Sequence, residues 1–110
     1  MQKQYRLAKN EDFKRVIEKR QSFSNRSFVI FYDSNELEHS RIGISVSSKY
    51  GIAVLRNKAK RQVRMMIKEI FDLTHQIDIV IIIREGFKQK KYEENKTELN
   101  YIYKKLIKKR

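Results

Sequence analysis

The densest chemistry of the chain lies between Arg56 and Arg64, which reads RNKAKRQVR. Guanidinium groups bind phosphates through paired hydrogen bonds, ammonium groups act on them as point charges, and a carboxamide reaches a sugar or a base edge. At 100° per residue Lys60, Arg61, Arg64 and Lys68 fall together on one arc of a helix, with Asn57 among them and Arg56 at its border. The thirty residues from His39 to Lys68 contain no Asp or Glu and eight basic residues, among them Arg41, Lys49 and Lys58. A solvated helix face usually mixes signs to gain i,i+4 pairs. A stretch of one sign forgoes that stabilisation and points to a polyanionic partner.

Other chemistry is thin. His39 and His75 have no metal-ligating partner at helical spacing and read as polar surface residues. There is no cysteine, which removes thiolate metal sites and disulfides. The three glycines are isolated, so no phosphate loop forms. Asp12, Asp33, Asp72 and Asp78 belong to separate elements, and no spacing supports a metal pair among them. Glu93 and Glu94 are adjacent and read as solvated. The chain by itself offers no nucleophile, base or metal cluster for a nuclease.

The elements that position the basic segment are legible from periodicity. A first helix is predicted over residues 10–20, with Asn10 as N-cap and Phe13, Val16 and Ile17 on one face. Residues 27–33, SFVIFYD, form a strand that is apolar on both faces. The polar residues 33–40 predict a hairpin turn into RIGISVSS, residues 41–48. There Ile42, Ile44 and Val46 face a core, while Arg41, Gly43, Ser45 and Ser47 leave a low polar face with room for something to lie across it. The basic helix spans residues 52–71, with Leu55, Ala59, Val63, Met66, Ile67 and Ile70 as its apolar arc. IDIVIIIR, residues 77–84, predicts a central strand, and Tyr92 to about Lys108 a last helix buried through Leu99, Ile102, Tyr103, Leu106 and Ile107. The order α-β-β-α-β-α predicts an α/β (α+β) fold: a two-layer sandwich with helices on one face of a small mixed sheet and the other face partly open.

Size and charge agree with a single nucleic-acid-binding domain over residues 1–110. The mass is 13.4 kDa, which suits one core. Twenty-six Lys and Arg against 13 Asp and Glu leave a charge of +13, and that calls for nucleic acid before an anionic membrane. Ile79 to Ile83, the longest apolar run, is too short to span a bilayer, and MQKQYRLAKNEDF carries no secretory segment, so the expected compartment is the cytoplasm.

Residues 45–64, SVSSKYGIAVLRNKAKRQVR, resemble the signature of the bacterial ribonuclease P protein subunit, roughly K-x-G-N-A-V-x-R-N-x-x-K-R-x-x-R. Lys49, Gly51, Ala53, Val54, Arg56, Asn57, Lys60, Arg61 and Arg64 match it. Ile52 departs, standing where the family usually has Asn, and Ser48 stands where a second lysine is common. RLAKNEDFKRVI, NRSFVIFY, RIGISVS, IDIVIIIR and the YEENKTEL helix extend the resemblance in order over residues 5–107.

The resemblance implies an endoribonuclease holoenzyme whose protein subunit is not catalytic. The partners implied are a catalytic RNA subunit and precursor tRNA, with no membrane and no obligate protein partner. The reaction implied is removal of the 5′ leader, with Mg²⁺ bound mainly by the RNA. A left-handed crossover around the basic helix is also implied; periodicity alone would favour the common right-handed one. Lys49, Arg56, Asn57, Lys60, Arg61, Arg64 and Lys68 match the segment that meets the catalytic RNA, Arg56 being equally readable as a residue that orients the helix. The leader cleft matches Phe13, Ile17 (where another aromatic is often found), Phe31, Arg41, Ser45 and Ser47. Aromatic faces there would stack on unpaired bases, against the simpler reading of Phe13 and Phe31 as core. Lys104, Lys105, Lys108, Lys109 and Arg110 supply background attraction. The alternative function is a ribosomal or other structural RNA-binding protein without a role in cleavage, which needs no aromatic cleft. A cationic membrane-surface protein would need large exposed apolar residues opposite the charge.

Overall fold

The computed structural model describes residues 1–109. Its elements are α1 (Asn10–Glu18), β1 (Ser22–Ser24), β2 (Phe28–Ser34), β3 (Arg41–Val46), α2 (Ala53–Ile70), β4 (Ile77–Ile83) and α3 (Tyr92–Lys109), with short 3-10 turns at Lys3–Tyr5, Ser48–Tyr50 and Glu85–Gln89. This is the expected mixed α+β fold with one added strand, the three-residue β1. Lys9, not Asn10, occupies the N-cap of α1, and it makes no side-chain cap bond.

The sheet order is β1-β2-β4-β3. β4 runs antiparallel to β2, with Phe28 opposite Ile83, and parallel to β3, with Gly43 opposite Val80. The predicted hairpin between residues 27–33 and 41–48 therefore does not form, because β4 lies between the two strands. The physical reason is in β4 itself: Ile77, Asp78, Ile79, Val80, Ile81 and Ile83 are all buried, and a strand covered on both faces is most stable with a neighbour on each edge. The 35–40 loop instead passes the start of β4. The Asn35 and Ser40 amides donate to the carbonyls of Gln76 and Leu73.

One sheet face packs with α2 and α3 through Phe28, Ile30, Tyr32, Ile42, Ile79 and Ile81, which meet Val63, Met66, Ile67, Leu99 and Leu106 in the main core. Inside this core Asn95 of α3 accepts from the Ser27 hydroxyl and donates to the Phe87 carbonyl, so its buried carboxamide is satisfied on both sides. The other face carries α1, where Val16, Leu7 and Val80 form a second, smaller buried cluster. The helices are thus divided between the faces, with α1 only partly covering its own. Periodicity identifies the apolar side of α1 but not the layer that receives it.

β3 is one of the two edge strands, and its free side is not bare. The Leu7 amide donates to the Ile42 carbonyl at 3.0 Å, and Arg6 bridges to Ile42 in the parallel sense. The N-terminal segment thereby blocks part of an edge that would otherwise invite strand pairing.

Candidate nucleic-acid interface

α2 presents the basic flank. Ala59, Val63, Met66 and Ile67 are buried against the sheet, which turns Asn57, Arg61, Arg64 and Lys68 to solvent and leaves Lys60 half-buried. Lys49 is exposed on the turn that leads into the helix, where its amide donates to the Ser47 hydroxyl oxygen at 3.1 Å. Among the described residues, none of Lys49, Lys60, Arg61, Arg64 and Lys68 forms an ion pair. The acid of α2, Glu69, is held by Lys96 of α3 and keeps away from the flank. The Lys96 hydrogen bond keeps the Glu69 carboxyl below its ordinary range.

Arg56 behaves differently. It is half-buried, and its Nη1 donates to the Gly51 carbonyl at 2.7 Å. That bond ties the first turn of α2 to the preceding loop, which fits the helix-orienting reading.

The first turn of α2 is exposed at Ala53, Val54 and Leu55. Leu55 is 47% exposed, so it lies outside the buried stripe in which periodicity placed it. Ile52 is 69% exposed and occupies the N-cap with no side-chain cap bond. An Asn there would accept from an otherwise uncapped amide of the first turn. Ile52→Asn is therefore expected to stabilise the protein by about 1 kcal/mol, given that cap side chains are worth roughly 0.5–2 kcal/mol and little apolar burial is lost. Equilibrium denaturation checks this; unchanged or lower stability would mean that the first turn is satisfied in another way.

The opposite sheet face holds the cleft. Phe13 and Ile17 of α1 meet Phe31 of β2 and Ile82 of β4, all partly buried around the Leu7, Val16 and Val80 cluster. Ser45 is half-exposed on the same face, and Ser47 is exposed just beyond β3. The space over Gly43 is filled by the chain itself: a Cβ added there would lie 2.3 Å from Cζ of Phe13 and 2.8 Å from the Leu7 carbonyl oxygen. The room expected above β3 is therefore taken at Gly43. Gly43→Ala must displace the Phe13 ring. We expect a loss of about 1–3 kcal/mol, as for overpacked cores, measured by thermal unfolding. Parent-like stability would show that α1 rides over the sheet without close packing.

The cleft and the basic flank converge at the β3 edge. Phe13, Gly43 and Leu7 line a cavity of about 230 Å³ together with Ile44, Arg6 and Arg64 of α2. One side of this edge offers an aromatic ring and the other a free guanidinium.

The fold recurs among known proteins. The family model described as Ribonuclease P matches residues 1–107. The chain belongs to the ribonuclease P protein family. The ribonuclease P protein component of Mesoplasma florum is 40% identical over 93% of this chain and 94% of its own, and that of Bacillus velezensis is 40% identical over 96% and 91%. Among solved structures, the Staphylococcus aureus RNase P protein superposes with a TM-score of 0.81 at 41% identity, covering 91% of this chain and 93% of that one. The Thermotoga maritima RNase P protein gives 0.75 at 32% identity, covering 88% and 94%.

In this member of the ribonuclease P protein family, sequence reasoning missed the network that holds the cleft together. Asp78 of β4 is fully buried. Arg15 of α1 donates to Asp78 at 2.5 Å and to Asp33 of β2 at 2.6 Å. Arg41 of β3 donates to both Asp78 oxygens, at 3.0 and 2.7 Å, and Asn35 donates at 2.8 Å. Asp12 of α1 completes the cluster beside Arg41. Burial pushes the Asp78 carboxyl up, but the hydrogen bonds from Arg41, Asn35 and Arg15 outweigh it and hold the group below its usual range. Three of the aspartates do meet, then, yet two guanidinium groups stand between them.

Arg41 of β3 has its guanidinium committed to Asp78 and Asp12. The signal for this cluster was present as one acid in the apolar run IDIVIIIR; its partners on three other elements had none.

Proposed function

We propose that this chain is the protein subunit of a ribonucleoprotein ribonuclease P. It binds the catalytic RNA through the α2 flank and the 5′ leader of precursor tRNA through the cleft beneath α1. It thereby assists endonucleolytic removal of the leader to generate the mature tRNA 5′ end. The carrying observation is the placement of the two surfaces: an unpaired cationic flank and a half-open aromatic cleft on opposite faces of one sheet, converging at the β3 edge, in a chain of this family. A structural RNA-binding protein has no need of the second surface.

In this reading the active site belongs to the RNA. Mg²⁺ held by that RNA supplies metal-assisted hydrolysis of the phosphodiester. The protein positions the leader, and its cations offset phosphate repulsion during assembly. The commitment of Asp12, Asp33 and Asp78 to Arg15 and Arg41 supports placing the ions on the RNA side. The complex works in the cytoplasm without an obligate protein partner. No helix among the described residues is long and apolar enough to cross a membrane.

Cleavage assays on precursor tRNA test the proposal, using protein alone, RNA subunit alone and both. The protein alone should be inactive, and adding it to the RNA should lower the Mg²⁺ concentration needed. Cleavage by RNA-free protein, or an unchanged Mg²⁺ requirement, would contradict it.

A further inference from the structure

A groove of about 610 Å³ lies between the 71–76 loop and the C-terminal half of α3, and no residue of the two surfaces described above lines it. Tyr103 and Ile107 form its apolar floor, and His75 stands at one wall. Tyr101, Lys104, Lys105 and Lys108 form the other wall. Their i, i+3, i+4, i+7 spacing places them on one helix face.

Three observations separate this groove from an ordinary solvated surface. Tyr101 is 61% exposed, and the Lys105 ammonium sits 4.5 Å from its ring centroid, so a cation and an aromatic surface are presented together. No Asp or Glu lines the groove, and among the described residues Lys104, Lys105 and Lys108 enter no ion pair. The floor is also fixed: the Tyr103 ring stacks on Phe71 at 3.8 Å, and its hydroxyl donates to the Asp72 carbonyl.

We propose that this groove is an additional binding site for single-stranded RNA. An unpaired base stacks on Tyr101, and the neighbouring phosphates are held by Lys104, Lys105 and Lys108. Stacking on an exposed ring tolerates any base, and lysines supply the backbone attraction, which is the usual division of labour in single-strand binding. The volume falls within the range of sites that enclose small organic groups. The groove lies on the α2–α3 side of the sheet, so its RNA is not the leader held beneath α1. Leu73, of the same loop as His75, lines a cavity with Lys68 and Arg64. A strand held on the basic flank of α2 can therefore continue across this loop to α3.

The test titrates the ¹⁵N-labelled full-length protein with a short oligouridylate and reads each site by its own amides. Saturable shifts are expected at Tyr101, Lys105 and Lys108. Tyr101→Ala should raise the dissociation constant read at Lys105 and Lys108 about tenfold, leave that read at Arg61 and Arg64 unchanged, and preserve the melting temperature, since the side chain is mostly exposed. Tyr101→Phe should behave as the parent. Absence of saturable shifts on α3 while α2 responds would overturn the proposal. So would an unchanged constant in Tyr101→Ala, which would reduce the lysines to diffuse attraction. Shifts induced by phosphatidylglycerol vesicles but not by the oligonucleotide would overturn it in favour of a lipid surface. Each of these failures leaves the roles of α2 and the α1 cleft untouched.

Discussion

Asp78→Asn is expected to destabilise the protein by about 3 kcal/mol at neutral pH. Removing one partner of a buried ion pair typically costs about 3–5 kcal/mol, because the remaining charges lose their compensation. The lower end applies here. Arg15 and Arg41 retain 38% and 25% side-chain exposure, and Asp33 and Asp12 remain beside them. In a domain of this size the change corresponds to a fall in melting temperature of about 10–15 °C. The pH dependence follows from the direction of the Asp78 shift. Its folded carboxyl is held below the ordinary aspartate range, so its contribution is present above the unfolded value and is lost as pH falls through the lower folded one. The gap between parent and Asp78→Asn should therefore be widest near neutrality and close under acid. A constant gap from neutral to strongly acid pH would show that Asp78 acts by shape and not by charge. Because the network joins α1, β2, β3 and β4, the same substitution should loosen the seating of Phe13 and Ile17 over the sheet.

The Arg61→Ala, Arg64→Ala double substitution should weaken binding to the RNA subunit by about thirtyfold. Each lost phosphate contact costs roughly 1 kcal/mol or more, and about 2 kcal/mol is close to thirtyfold. The slope of log affinity against log salt should flatten by about 1.4–1.8, the counterions released by two cations. Fold stability should hold or rise, since both side chains are exposed on a helix and alanine has the highest helix propensity. Titrations of the RNA subunit at several salt concentrations give both quantities. A loss of affinity with an unchanged salt slope would mean that the arginines work through helix geometry, as Arg56 does through its bond to Gly51.

The parts of this molecule governed by local periodicity were legible in the sequence. The α2 stripe of Ala59, Val63, Met66 and Ile67 was placed correctly, as was the basic flank, since both follow from 100° steps along one helix. β4 read as central because its apolar run has no polar alternation except Asp78. What failed was non-local. The polar 33–40 segment has the composition of a hairpin turn, but a strand that arrives forty residues later takes the place between β2 and β3. Leu55 lies in the apolar arc yet is 47% exposed, because the buried stripe of α2 starts only at Ala59. The small side chains of β3 were read as room for a ligand, and at Gly43 that room holds Phe13. Arg41 reads as part of an open polar face because the sequence does not reveal that Asp78 lies opposite it in the parallel register.

The most direct test of the leader cleft is the ratio of precursor to mature tRNA affinity for the holoenzyme, measured with the parent and with Phe31→Leu. Leucine keeps apolar bulk beside Ile17 and Ile82 but removes the aromatic face. Matching circular dichroism and RNA-subunit affinity establish that the variant folds and assembles. Only the precursor carries a leader, and stacking of one base is worth about 1–3 kcal/mol. The preference for precursor should therefore fall at least about fivefold in Phe31→Leu, with mature tRNA affinity unchanged. A variant that folds, assembles and prefers precursor as strongly as the parent would contradict the assignment and return Phe31 to the core.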